Sequence, residues 1–302
     1  MRRLAGIVLA AVALGFAVPS LAAGPLVAAH RGGGLLWPEN SLLAFRNALA
    51  LGVDFLETDV HLTADGEVVV LHDPTLDRTT TARGAVHDVK LADLVGVRLK
   101  AADGSTTAEH VPTLRELLDL LRPSAARLLL EIKVGPSRQP YAGIEEKVLA
   151  QIRDAGLFDR VLIMAFEDET LRRIRTLDAR VRTVLLVSTR RAERATAPRD
   201  VVRWVTAVGA NELGIDHRAL SAEIVAAARA ARMRVTAWTV NEEADIRRVI
   251  DLGVDVVTSD RPDVVLKIGG VREPSGIGGV RDSPPSGIGG VRGAPPKPPT
   301  NP

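Results

Sequence analysis

The chain has 302 residues, 46% of them hydrophobic and 25% charged, ordinary proportions for a globular protein with a sizeable core. It contains no cysteine, which excludes disulfides, thiolate metal sites and a cysteine nucleophile. The net charge of +2 arises at the ends: six of the 39 basic residues (Arg2, Arg3, Arg272, Arg281, Arg292, Lys297) and two of the 37 acidic ones (Glu273, Asp282) lie there, so residues 24–268 sum to −2 and carry no nucleic-acid footprint.

Residues 1–23 show Arg2 and Arg3, an apolar stretch from Leu4 to Val18, then Pro19, Ser20 and Ala22. That layout predicts a cleaved signal peptide and an exported protein, periplasmic or secreted. The alternative, a retained membrane anchor, is disfavoured by the shortness of the stretch.

From about 26 to 266, short β-branched runs alternate with amphipathic helical stretches. Expected strands are 26–30, 54–60, 128–133, 160–166, 182–188, 211–216, 234–240 and 254–259. Helices such as SLLAFRNALAL end at Gly52, Gly156 and Gly253, which suits short connections into the following strands. One further run, EVVVLHD (67–73), follows the second strand across Asp65-Gly66 and predicts an antiparallel ribbon. Setting the ribbon aside leaves eight βα units in residues 24–268, which points to a (β/α)8 TIM barrel. A doubly wound sheet is the competitor, but no G-x-G-x-x-G follows any strand. Residues 74–127 read as a loop-rich insertion at the barrel mouth followed by a helix over 112–121. The tail 269–302 carries GGVR three times and is too rich in Gly, Pro and Ser to bury a core, so it is expected to be disordered.

Barrel chemistry belongs at the C-terminal ends of the strands. His30 and Arg31 end the first strand. Glu57 and Asp59 share one face of the second, and His72 ends the ribbon beside them. Glu131 and Lys133 share a face of the third. Three converging carboxylates suit one hard divalent cation, Ca²⁺ or Mg²⁺; the competing arrangement is ion pairing with Arg31 and Lys133. Arg31 and Lys133 can clamp a phosphate, the first bidentately and the second as a point charge. His30 and His72 can act as acid and base on either side of phosphorus. His61, His87, His110 and His217 are read as structural. Gly32–Gly34 are expected to let backbone N–H groups approach the phosphate.

The segments AHRGGGLLWPENSLLAF, FLETDVHLTADGEVVVLHDPTLDRTT, LLLEIK, AWTVN and VVTSDRPD together resemble the glycerophosphodiester phosphodiesterase family, in order and spacing, from about Leu26 to Leu266. The resemblance implies metal-dependent hydrolysis of a glycerophosphodiester to sn-glycerol 3-phosphate and an alcohol. It maps the acid/base pair to His30 and His72, the metal ligands to Glu57, Asp59 and Glu131, and phosphate binding to Arg31 and Lys133. It also places Glu39 near the metal, as ligand or outer partner, and Trp238 against the glycerol moiety, a position an ordinary core residue could equally fill. Ser41 stands at the turn that is usually PENT-like in the family, where it can still cap the next helix.

Two rivals follow from the same residues. A phospholipase D-like relative could take lysophospholipids or sphingolipids, with Leu35, Leu36 and Trp37 touching an acyl chain. A non-catalytic surface or binding protein, displayed through its repeats, fits poorly with five intact site residues. No protein partner is implied.

Overall fold

The computed structural model describes residues 24–269; the predicted signal segment and the repeats beyond Gly269 lie outside the described residues. Nine strands occur within it: β1 (Leu26–Ala29), β2 (Phe55–Leu62), β3 (Val68–Val70), β4 (Arg127–Ile132), β5 (Val161–Ala165), β6 (Arg182–Val187), β7 (Glu212–Asp216), β8 (Arg234–Trp238) and β9 (Val256–Ser259). All but β3 are parallel neighbours, and β9 returns to pair with β1 through Ala28 and Thr258, closing an eight-stranded barrel. The TIM barrel expected from the alternating pattern is the fold.

Helices α1 (Leu42–Leu51), α2 (Leu114–Leu121), α3 (Ile144–Asp154), α4 (Asp168–Leu177), α5 (Thr189–Ala192), α6 (Pro198–Ala207), α7 (Ala222–Ala230) and α8 (Glu243–Asp251) connect the strands, and α9 (Pro262–Gly269) follows β9. Local chemistry sets their starts. Ser41 Oγ accepts the Ala44 N–H at the head of α1, as expected, and Thr113 with Glu116 forms a capping box on α2. No helix among the described residues is long and apolar enough to cross a membrane.

Strand alternation sorts side chains into two cores. On β4, Leu128, Leu130 and Ile132 pack outward with the helices, while Leu129 packs inward. On β2, Leu56, Val60 and Leu62 face the helices and Phe55 faces the interior. The inward set therefore continues upward as Glu57, Asp59 and His61 on β2 and as Glu131 on β4. The parallel register places Asp59 directly beside Glu131. The same rule points Thr236 and Trp238 of β8 inward above an interior filled by Leu129, Leu162, Met164, Val184 and Leu186.

β3 folds back antiparallel on β2, pairing Val60 with Val70 and Leu62 with Val68, so the predicted ribbon is present. The insertion after it has its own small core of Leu76, Val86, Leu94, Leu99 and Val111 packed on Val69 and Leu71. It is tied to the barrel where Glu109 accepts the Leu43 N–H at the start of α1.

Candidate active site

β1 stops one residue earlier than expected, and His30 opens a single 3-10 turn, His30–Gly32. The cause is a run of positive φ: Arg31 at 52°, Gly32 at 80° and Gly33 at 99°. Only glycine takes such angles freely, so Arg31 is the strained member. Its reward is a hydrogen bond: the Arg31 amide donates to Glu57 Oε2 at 2.8 Å. Two of the three glycine N–H groups are spent inside the turn. The Gly33 and Gly34 N–H groups donate to the His30 carbonyl, so neither is free for a phosphate. A Cβ on Gly32 would meet that of Ala44 at 2.8 Å, and one on Gly33 would press on Trp37 at 3.1 Å. Tight packing under the turn is reason enough for glycine at 32 and 33.

Three carboxylates meet at the barrel mouth. Glu57, Asp59 and Glu131 are buried, and each offers an oxygen within 4.8 Å of the others. Burial pushes the Glu57 and Glu131 carboxyls upward, reinforced by the nearby Asp59 charge. Asp59 is also buried, yet Lys133, His72 and Arg31 together hold it below the ordinary range. Lys133 Nζ lies 2.8 Å from Glu131 Oε1 and 3.4 Å from Asp59 Oδ1, and these carboxylates keep it protonated despite burial. Arg31 Nε is 3.6 Å from Asp59 Oδ2. Ion pairing is therefore real but incomplete, since Asp59 Oδ1 has no hydrogen bond. Asn40 supports the other oxygen, donating from Nδ2 to Asp59 Oδ2 at 3.0 Å.

The two histidines face this cluster from opposite supports. His30 Nδ1 donates to Asp260 Oδ1 at 2.7 Å, and Nε2 lies 3.9 Å from Glu57 Oε2. Burial opposes charging His30, but Glu57 and Asp260 outweigh it and raise its pKa. His72 Nδ1 donates to Asp73 Oδ1 at 2.6 Å; burial dominates here and lowers its pKa. Both rings thus spend Nδ1 on a carboxylate and keep Nε2 for the cavity.

Behind His72 stands His61, fully buried and pushed down to about 4 by burial. As a neutral ring it donates from Nε2 to the His72 carbonyl at 3.1 Å and accepts the Tyr141 hydroxyl at Nδ1, 2.8 Å away. The structural reading of His61 holds, with a specific duty attached.

The cavity encloses about 100 Å³ and has a charged half and an apolar half. His30, Arg31, Glu57, His72, Glu131 and Lys133 line the first. Met164, Phe166, Leu186 and Trp238 form the second, with Trp238 edge-on to Phe166 at 5.5 Å. Trp238 is a wall of the cavity rather than core alone, and its Nε1 has no partner; Thr236 Oγ1 beside it has none either. Glu39 is not part of the carboxylate trio: it accepts from Arg31 Nη1 at 3.1 Å and stands one guanidinium away.

Sequence reasoning missed Asp260, Asn241, Asp73, Arg78 and Tyr141 as supports of the site. Asp260 and Asp73 were visible in TSDRPD and LHD as acids next to strand ends, but nothing in spacing couples residue 260 to residue 30. Only closure of the barrel does that.

The glycerophosphoryl diester phosphodiesterase family model matches residues 30–264. A glycerophosphodiester phosphodiesterase of Caldanaerobacter subterraneus subsp. tengcongensis is 32% identical over 244 residues, 80% of this chain and 97% of that protein. Among solved structures, a glycerophosphodiester phosphodiesterase from Agrobacterium tumefaciens is 26% identical with a TM-score of 0.67, covering 80% of this chain and 98% of its own. A phosphodiesterase of Oleispira antarctica, solved with the product sn-glycerol-3-phosphate, is 26% identical with a TM-score of 0.66, covering 81% and 96%. The family match begins at His30 and takes in the whole mouth of the barrel, and on it this chain belongs to the glycerophosphoryl diester phosphodiesterase family, as a phosphoric diester hydrolase.

Proposed function

We propose that this chain hydrolyses glycerophosphodiesters to sn-glycerol 3-phosphate and an alcohol, using one divalent cation held by Glu57, Asp59 and Glu131. The observation that carries the reading is the buried Asp59 Oδ1, which accepts no hydrogen bond although Lys133 Nζ lies 3.4 Å away, within a trio of facing carboxylates. Such an all-oxygen donor set fits a hard cation such as Ca²⁺ or Mg²⁺. When bound, that ion supplies Lewis-acid stabilisation of the charge that grows on phosphoryl oxygen.

The chain's own groups do the rest. Arg31 and Lys133 bracket the carboxylates and grip the non-bridging phosphate oxygens, which orients phosphorus between the two Nε2 atoms. One imidazole takes the proton from the attacking oxygen as the new P–O bond forms; that oxygen is either water, giving sn-glycerol 3-phosphate directly, or the glycerol 2-hydroxyl, giving a cyclic phosphate that a water molecule then opens to the same product. The other gives a proton to the departing alkoxide as the old P–O bond breaks. Each such transfer is worth about 10²- to 10⁴-fold. The small apolar half, walled by Met164, Phe166, Leu186 and Trp238, suits the three-carbon glycerol moiety, and the wider mouth leaves the alcohol headgroup outside.

Residues 1–23 support export of this enzyme, since their layout is that of a signal peptide. The mass of the N-terminal peptide from an extracytoplasmic fraction tests it.

The deciding experiment measures sn-glycerol 3-phosphate release from glycerophosphocholine with and without EDTA, then after adding back Ca²⁺ or Mg²⁺. Loss and recovery of turnover support the reading. Full turnover in EDTA, or an active His30→Ala or His72→Ala enzyme, removes it.

A further inference from the structure

Arg78 lies in the insertion after His72, half-exposed and outside the lining of the cavity. Its guanidinium makes two forks. Nη1 and Nη2 donate to Glu39 Oε2 and Oε1, both at 2.8 Å, while Nε and Nη2 donate to Asp73 Oδ2 and Oδ1 at 2.7 and 2.9 Å. Surface ion pairs as such contribute little. What distinguishes this one is which oxygens it takes. Asp73 Oδ1 is the atom that accepts from His72 Nδ1, and Glu39 Oε1 is the atom that accepts from Arg31 Nη1. A single nitrogen, Arg78 Nη2, therefore bridges the two oxygens that orient one histidine and the arginine of the cavity.

The chain Arg31–Glu39–Arg78–Asp73–His72 spans the mouth from the β1 turn to the end of the ribbon. Glu39 and Asp73 come from different loops, and no other cation is hydrogen-bonded to both among the described residues. Four of the five guanidinium N–H groups are engaged, so Arg78 has little left to offer a substrate. A lysine in its place would supply charge but no forks.

We propose that Arg78 is a positioning residue for phosphodiester cleavage: its paired forks hold Glu39 and Asp73, and through them fix Arg31 and His72 relative to one another. The inference rests on the reading of His72 and Arg31 given above. Misplacing both groups leaves substrate able to enter but poorly aligned for attack.

The test is steady-state kinetics on glycerophosphocholine for Arg78→Lys, Arg78→Ala, Asp73→Asn and the Arg78→Ala/Asp73→Asn pair, with thermal melts and a His72→Ala control. Arg78→Lys keeps the charge and is the variant safest for folding. Expected is a fall in kcat of about 10- to 100-fold for both Arg78 variants, exceeding any rise in KM. The double variant should lose less than the product of the two single losses, because both act on His72 while Arg78 also acts on Arg31. Full activity of Arg78→Lys overturns the role of the forks. A raised KM with unchanged kcat makes Arg78 a substrate contact and also overturns it, as does strict additivity in the pair. An active His72→Ala enzyme instead sinks the reading of the site on which the inference stands.

Discussion

His30 Nδ1 lies 2.7 Å from Asp260 Oδ1, across 230 positions of sequence, where the last strand of the barrel meets the first. The pair is itself held in place. Asn241 Nδ2 donates to Asp260 Oδ2 at 2.8 Å, and the Asp260 amide returns a bond to Asn241 Oδ1 at 2.9 Å. Asp260 stays ionised although buried, because His30 and Asn241 donate to it. An ionised acceptor at Nδ1 fixes the His30 tautomer and leaves Nε2 for proton transfer.

Asp260→Asn tests that arrangement at nearly constant size. Asn241 will draw the new amide's oxygen, turning its NH₂ toward His30 and forcing Nδ1 to accept. The proton then sits on the wrong nitrogen. A fall in kcat of about 10²- to 10⁴-fold is expected with little change in melting temperature. An unchanged kcat on glycerophosphocholine would show that Asp260 does not set the tautomer.

Tyr141→Phe probes the support on the other side. Tyr141 stays a phenol, since burial raises its pKa to about 12, so it donates to His61 Nδ1. Removing the hydroxyl leaves a buried imidazole nitrogen without a partner, at a cost of about 1–3 kcal/mol. Urea denaturation should register that loss. Because His61 Nε2 holds the His72 carbonyl, kcat should fall along with it. Equal stability in the two proteins would mean water replaces the hydroxyl.

How far the sequence foretold this differs by level. Strand alternation was enough to bring Glu57, Asp59 and Glu131 to one face, because a period of two is a local property. The ribbon was legible from Asp65-Gly66. His72, Arg31 and Lys133 fell at strand ends and so at the mouth. The supports were not legible: His30–Asp260, Arg78–Glu39 and His61–Tyr141 join distant loops, and only the closed barrel and its insertion make them neighbours. The packing role of Gly32 and Gly33 was not legible for a related reason. Bare backbone reads as ligand space, yet here α1 and Trp37 fill it.

Gly32→Ala follows from that correction. At φ +80° and with its new Cβ 2.8 Å from Ala44 Cβ, the substitution forces the β1 turn away from α1. A loss of about 1–3 kcal/mol is expected from the backbone alone. The turn carries His30 and Arg31, so kcat should drop as well. A variant as stable as the parent would show that the turn can shift at no expense.

The carboxylate trio makes a prediction about pH with a defined sign. Glu57 and Glu131 have pKa values raised by burial, so the metal-free fold favours their protonated forms. Their contribution is complete below the ordinary carboxylate value of about 4.3 and is lost as pH rises through the raised values. Other groups move the opposite way, notably Asp73 and Glu39, whose pKa values are lowered by their hydrogen bonds to Arg78. Comparison with Glu131→Gln cancels those shared terms. In EDTA, the parent should lose stability relative to Glu131→Gln between the ordinary carboxylate value of about 4.3 and the raised Glu131 value of about 7. Adding Ca²⁺ or Mg²⁺ should reverse the order, stabilising the parent as bound ligand does and the variant much less. Thermal melts across that range decide it: parallel curves, or equal stabilisation of both proteins by cation, would mean that the trio is held by Lys133 and Arg31 alone.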